Sequence, residues 1–117
     1  MNKEKERYIV IRLKGTDMFI AEGGNAASGW WIDGIPPYLC EGVAWATPTD
    51  ETDEIDVYNL IRDLCTSITD IKPDRFELVE VRLVVAPRYA LTAIEPKWFR
   101  KLVKGVSEEL RRKQTEK

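Results

Sequence analysis

The chain has 117 residues, of which 44% are hydrophobic and 32% are charged, and its formal net charge is −2. This length and balance fit one globular domain and exclude a disordered, charge-dominated chain. No apolar run reaches the ~20 residues that a membrane-spanning helix needs, and the first residues lack the pattern of a signal peptide. We therefore expect a cytoplasmic protein that does not contact a membrane.

The absence of histidine restricts the chemistry of the chain most strongly. It excludes Ser-His-Asp and Cys-His nucleophiles and zinc sites that contain histidine, and it removes the commonest general acid and base. Cys40 and Cys65 lie far apart without metal-site spacing, so we expect two buried apolar side chains and no disulfide. The sequence predicts no catalytic residue, no metal and no cofactor.

The chain begins with the pattern of a β-hairpin. Residues 8–14 are rich in β-branched side chains, and a Gly-Thr-Asp turn separates them from a second apolar run at 18–21. We expect the first of these strands to lie at an edge of the sheet. Residues 22–29 contain three glycines and two alanines, and they lack the spacing of a phosphate-binding loop, so they predict a linker.

In the middle of the chain, the spacing of apolar residues changes from a pattern typical of strands to one typical of a helix. Residues 30–32 and 42–47 read as short strands on either side of Pro36 and Pro37, which interrupt a regular ladder. Apolar residues then follow helical spacing and predict a first helix over residues 52–69.

The last third contains the clearest strand pattern, at residues 76–86, where neighbouring apolar positions suggest a bulge and an apolar end suggests an interior strand. Residues 89–94 predict a final strand. Pro96 suits the first turn of a second helix that reaches Leu110, and residues 111–117 predict a frayed basic tail.

These elements predict an α+β fold in which residues 1–117 form a single domain. The expected architecture is a mainly antiparallel, twisted sheet of about five or six strands, with two helices packed on one face. A split βαβ arrangement around the first helix is the alternative.

An acidic segment precedes the first helix. Residues 33–56 contain seven acids and no Lys or Arg. The acidic run at residues 50–56 contains no glycine for the sharp turn of a calcium loop, which disfavours calcium binding, so the acids suit a helix start or a surface that imitates nucleic acid. The candidate patch consists of Asp50, Glu51, Asp53 and Glu54.

The second helix carries the opposite charge. Its basic residues can neutralise phosphates, which makes nucleic-acid binding an alternative function. Glu108 with Arg112 and Glu109 with Lys113 have the i,i+4 spacing of helix-stabilising ion pairs. The candidate basic patch consists of Arg100, Lys101, Lys104, Arg111 and Arg112.

Aromatic residues cluster around the Pro36-Pro37 pair. Adjacent residues of a strand point to opposite faces, so one of Trp30 and Trp31 is expected to face away from the helices, and exposed aromatic residues often anchor protein interfaces. The candidate partner site consists of Trp30, Trp31, Tyr38 and Asn25. A small-molecule pocket beneath this segment is a further alternative.

Together these patterns favour a non-enzymatic protein-binding module. We expect a regulator or inhibitor of a larger assembly, of the kind that bacteria and bacteriophages encode as accessory proteins. The acidic and basic segments, or an unpaired strand edge, also favour a homodimer over a monomer.

Overall fold

The computed structural model describes residues 7–22, 37–43, 46–49, 54–85 and 88–115. Strands β1 (Arg7–Leu13), β2 (Met18–Ala21), β3 (Tyr38–Glu41), β4 (Phe76–Val85) and β5 (Arg88–Ile94) form one antiparallel sheet in the order β3-β2-β1-β4-β5. Helices α1 (Glu54–Ser67) and α2 (Lys97–Thr115) follow β3 and β5. The predicted α+β fold with an antiparallel sheet and two helices is confirmed.

Strand β1 lies in the middle of the sheet, so the prediction that it forms an edge is wrong. It pairs with β4 along its whole length and with β2 on its other side. Ile9, Val10 and Ile11 are 5%, 0% and 1% exposed. Consecutive buried residues on a strand require cover on both faces, and an interior strand satisfies that requirement.

The larger core lies between the sheet and the two helices. Directly opposite residues of paired strands share a face, so Ile11 and Leu78 point to the same side of the sheet. The buried residues that join this cluster from α1 and α2 are Val57, Leu60, Ile61, Leu64, Cys65, Phe99, Leu102 and Val106.

A second, smaller core lies on the opposite face of the sheet. Its buried members are Val10, Phe19, Ala46, Val79 and Val81. Four of them are strand residues that alternate with residues of the larger core, and Ala46 comes from the segment after β3. The centre of the sheet is therefore buried on both faces, although both helices lie on one side.

The segment after β3 also fills a gap in the sheet. Beyond the pair Arg12 and Phe19, β1 and β2 separate. The Thr47 N–H donates to the Ile20 carbonyl at 3.0 Å, and the Thr49 N–H donates to the Ile9 carbonyl at 2.7 Å. These main-chain bonds satisfy backbone groups of both strands.

The strand predicted at residues 42–47 is wrong for its described residues 42, 43, 46 and 47, none of which is in a strand. The strand in this region is β3, which ends at Glu41, before Gly42, whose φ of 83° favours glycine and interrupts the extended chain. Thr49 forms only an isolated bridge with Ile9. Of the predicted linker at 22–29 only Glu22 is described, and the strand predicted at 30–32 lies outside the described residues.

Strand β4 is an interior strand, as predicted, but its bulge lies elsewhere. Val79 and Val81 pack into the smaller core while Phe76 and Leu78 pack into the larger one, so the neighbouring apolar positions reflect two buried faces. The register shift occurs between Leu83 and Val85, near the end of the strand.

The helices agree with the sequence pattern except at their ends. Helix α1 begins and ends two residues inside its predicted range. Helix α2 continues to Thr115, so residues 111–115 are helical where the sequence predicts fraying. Arg112 and Lys113 lie in the last turn, where positive charge is favourable because the helix dipole is negative at that end.

Gly105 lies on α2 against the ring of Tyr58 on α1. A Cβ added at Gly105 would lie 3.5 Å from Tyr58 Cε2, an ordinary van der Waals distance. Alanine is about 1 kcal/mol more favourable than glycine in a helix interior. We therefore expect Gly105→Ala to raise the free energy of unfolding by about 1 kcal/mol in urea titrations.

The matched control for Gly105→Ala is Lys104→Ala, at an exposed neighbouring position, which we expect to change stability by less than about 0.5 kcal/mol. A loss of stability in Gly105→Ala would contradict the packing of α1 against α2 described above.

Candidate functional site

The predicted partner site is described only at Tyr38. This residue begins β3, which is an edge strand, and its side chain is 45% exposed. It pairs with Ala21 and therefore shares the sheet face that lies away from the helices. Asn25, Trp30 and Trp31 lie outside the described residues, so their contribution stays a prediction.

The predicted acidic patch is described only at Glu54. Glu54 is the exposed first residue of α1, and Asp56 follows in the same turn. Acidic residues in a first turn interact favourably with the helix dipole, which accounts for the described part of the patch without a ligand. Asp50, Glu51 and Asp53 lie outside the described residues.

The predicted basic patch is described completely and is exposed on α2. Arg100, Lys104 and Arg111 are separated by four and seven positions and so share one side of the helix, with Lys101 and Arg112 beside them. The buried stripe that includes Phe99 and Val106 lies on the other side of α2. The structure thus brings these basic residues together on one face.

A polar cluster joins the two helices. The Tyr58 hydroxyl donates a 2.8 Å hydrogen bond to Glu109 Oε1. Glu109 Oε2 also lies 3.7 Å from Arg62 Nε and 3.5 Å from Lys113 Nζ, which confirms the predicted pair of Glu109 with Lys113. The hydrogen bond from Tyr58, together with the nearby positive charges, lowers the pKa of Glu109 below its ordinary value of 4.5. The pair Glu108 and Arg112 stays a prediction.

Because the folded state lowers the pKa of Glu109, ionised Glu109 stabilises the fold above its ordinary pKa of 4.5. That stabilisation is lost as the pH falls from 4.5 through the lower folded-state pKa. We expect Glu109→Gln to weaken the acid dependence of stability, measured as urea midpoints between pH 7 and pH 3. Glu108→Gln, on an exposed neighbouring position, is the control. An unchanged acid dependence in Glu109→Gln would contradict this assignment.

The two cysteines lie on opposite sides of the sheet. Cys65 is buried in the larger core, whereas Cys40 on β3 is only partly buried and packs against the smaller core. Burial raises the pKa of Cys65 to about 11 and raises the pKa of Cys40 above its ordinary value. The expectation of buried, unbridged thiols is confirmed for Cys65 and holds in part for Cys40. Raised pKa values disfavour the reactive thiolate.

Two grooves lie between the helices. One, of about 390 Å³, is lined by Ile55, Tyr58 and Trp98 near the starts of α1 and α2. The other, of about 470 Å³, is lined by Thr66 and Arg111 nearer the helix ends. Within the described ranges, no three His, Cys, Asp or Glu side chains lie close enough together to hold a metal ion, and no helix is long and apolar enough to cross a membrane. The pocket predicted beneath the Trp-rich segment lies outside these ranges.

Strand β5 forms the other edge of the sheet and has β4 as its only neighbouring strand among the described residues. Residues 88–93 are all exposed, on both faces of the strand. Exposure on the helix side means that neither helix covers residues 88–93, whereas Ile94 at the end of β5 packs partly against the larger core. Because an edge strand has a strand on one side only, part of its backbone N–H and C=O groups face outward.

The side chains of β5 extend an apolar surface to this edge. Tyr89 and Leu91 are 40% and 37% exposed, and Leu91 pairs with the fully buried Val81. Ala93 pairs with Val79 on the same face. The apolar surface of the smaller core therefore continues outward across β5.

Edge strands usually carry features that prevent pairing with another chain, such as charges, prolines or bulges. Residues 89–94 contain no charged residue and no proline. The register shift of this strand pair lies in β4, between Leu83 and Val85. Between Arg88 and Glu95, the edge that β5 forms thus lacks these protective features.

This edge is a functional candidate that the sequence analysis missed. The strand itself was predicted at residues 89–94, and the uncharged run between Arg88 and Glu95 was the available signal. Its position at an edge depends on strand order, which local patterns do not contain. A comparison of the chain with known protein families, curated proteins and solved structures finds no match.

Proposed function

We propose that this protein is a non-enzymatic protein-binding module that acts by adding a strand from a partner to β5. The observation that carries the proposal is the edge strand β5, of whose seven residues six are exposed, with no charge between Arg88 and Glu95. By occupying an extended segment of a larger assembly, such a module regulates or inhibits that assembly.

Strand addition supplies both affinity and selectivity. Main-chain hydrogen bonds to the edge provide affinity, and alternate side chains of the added strand provide selectivity. On one face, Tyr89, Leu91 and Ala93 favour apolar side chains of the partner. On the helix side, Ala90 and Thr92 leave space for small or β-branched ones. The expected partner is an extended segment with alternating apolar residues.

The test is selection of peptide ligands from a random peptide library displayed on phage. We expect the selected peptides to protect the backbone amides of residues 88–94 from hydrogen exchange. Leu91→Lys places a charge on this edge, and we expect it to weaken peptide binding at least tenfold. Because Leu91 is exposed, the substitution should leave the fold intact, which circular dichroism and the urea midpoint would verify.

The matched control is Tyr38→Lys, which places the same charge at an exposed aromatic residue on the opposite edge. Binding that is retained in Tyr38→Lys and lost in Leu91→Lys would support the β5 edge. The reverse result would favour the surface predicted around Tyr38, Trp30 and Trp31. Peptides that leave the amides of both edges unprotected would refute strand addition.

The basic face of α2 supports a second candidate function, nucleic-acid binding. Five exposed basic residues on one face of a helix can contact successive phosphates. If they do, affinity for a single-stranded or duplex oligonucleotide should fall steeply with salt, and Lys104→Glu should reduce both the affinity and the salt slope. Equal affinity in Lys104→Glu and the wild type would reject this candidate.

A further inference from the structure

The geometry of β5 points to a specific occupant, and we infer that β5 pairs with β5 of a second copy of this chain. The two strands run antiparallel about a two-fold axis at Leu91 and join two five-stranded sheets into one continuous sheet. This inference rests on the proposed function, because it uses the same open edge. It adds to the proposed function the identity of the partner strand and the register in which the two strands pair.

β5 is the more accessible of the two edges of the sheet. The opposite edge strand, β3, has only four residues, ends in Glu41 and follows Pro37 directly. Short length, charge and proline all discourage pairing at an edge. β5 has seven residues, and six of them are exposed. These six are distributed over both faces of the sheet.

The side chains of β5 are complementary to those of a second, antiparallel β5. An axis at Leu91 places Tyr89 opposite Ala93 of the second copy and Ala90 opposite its Thr92. Tyr89 thus faces a small side chain, and Leu91 meets Leu91 of the second copy at the axis, where both side chains are apolar. Tyr89, Leu91 and Ala93 share one face, so the apolar surface beside Val81 continues across the axis.

The charges at the two ends of β5 also fit an antiparallel pair. In this register Arg88 of one copy lies beside Ile94 at the end of the other strand, next to Glu95. The two-fold axis repeats this proximity of opposite charges on the other side. Within residues 89–94 no like charges oppose each other, because none of these residues is charged. The ends of the strand thus favour the antiparallel arrangement while its centre is neutral.

The first experiment measures self-association by sedimentation velocity or light scattering over a range of protein concentrations. We expect a concentration-dependent dimer that persists at 0.5 M salt, where the screening length falls below about 5 Å, because main-chain pairing and apolar burial are not screened. Leu91→Lys and Leu91→Glu should each weaken the dimer at least tenfold, since like charges would meet at the axis. Tyr38→Lys should leave it unchanged.

The decisive measurement is the self-association of a mixture of the two charged variants. Leu91→Lys and Leu91→Glu place opposite charges at the axis when they meet, so an equimolar mixture should form a heterodimer although neither variant dimerises alone. General damage to the fold cannot produce this rescue. Failure of the mixture to associate would overturn pairing at Leu91.

The second experiment tests the register with cysteine pairs in a Cys40→Ser background. Directly opposed residues of antiparallel strands have Cα atoms about 4.5–5.5 Å apart, within the range of a disulfide. Leu91→Cys should therefore form a disulfide-linked dimer under mild oxidation. Ala93→Cys should not, because the two copies of residue 93 would be about 13 Å apart along the strands. Equal crosslinking at both positions would overturn the register.

A monomer at every concentration would overturn self-pairing, and so would a dimer that Leu91→Lys leaves intact. Neither result affects the peptide protection of residues 88–94, which tests the proposed function separately. Conversely, a dimer with the predicted crosslink but no selected peptide would support self-pairing and would reject binding of other proteins at this edge.

Discussion

Phe19→Ala is expected to destabilise the protein by about 3–5 kcal/mol, a large part of the stability of a domain of this size. Phe19 lies on β2, is fully buried and faces away from both helices. Its ring packs in the smaller core with Val10, Val79 and Val81. Removing the ring would leave a cavity between the sheet and the segment around Ala46, in addition to the loss of buried apolar area.

The control for Phe19→Ala is Tyr38→Ala, on the same face of the neighbouring strand β3. Tyr38 is 45% exposed, so we expect a loss below about 1 kcal/mol. The measurement is the free energy of unfolding from urea titration, with an unchanged m-value as evidence that the unfolding transition is the same. Equal effects of the two substitutions would mean that the face away from the helices is not a core.

The sequence predicted the fold class because its strongest signals are local. The helical stripes of α1 and α2, and the β-branched runs of β1 and β4, follow from side-chain spacing alone. The position of β1 within the sheet does not follow from spacing, since it depends on pairing with β4, more than sixty residues away in the chain. The continuous apolar run from Ile9 to Ile11 was the available indication of an interior strand.

The bulge predicted in β4 illustrates the same limit. Adjacent apolar residues such as Leu78 and Val79 are consistent with a shift of register, but they are equally consistent with a strand that is buried on both faces. Only the smaller core distinguishes the two interpretations. That core includes Ala46, and the hydrogen bonds of the neighbouring Thr47 and Thr49 to Ile20 and Ile9 do not follow from the local sequence pattern.

The candidate sites also differ in whether the sequence could predict them. The exposed basic face of α2 was predictable, because residues opposite an apolar helical stripe face solvent. The β5 edge was not, because exposure on both faces of a strand reflects where the helices end on the sheet. The contact of Gly105 on α2 with Tyr58 of α1 was not predictable either, because it depends on how the two helices pack.

The packing of α1 on the sheet leads to a second large effect, in Leu64→Ala. Leu64 is 0% exposed and lies in the larger core with Ile61, Leu78 and Val106. Replacement of a buried leucine by alanine costs about 2–5 kcal/mol, and the upper half of that range applies where the surroundings cannot collapse into the cavity. We expect the upper half here, because the sheet on one side and α2 on the other restrict such a collapse.

The matched control for Leu64→Ala lies on the same helix at Ile55, which is 74% exposed. Alanine has a higher helix propensity than isoleucine, so Ile55→Ala should be neutral or slightly stabilising, within about 0.5 kcal/mol of the wild type. Both variants remove apolar carbons from α1, and they differ in whether those carbons contact the sheet. A difference below about 1 kcal/mol between the two unfolding free energies would contradict the placement of α1.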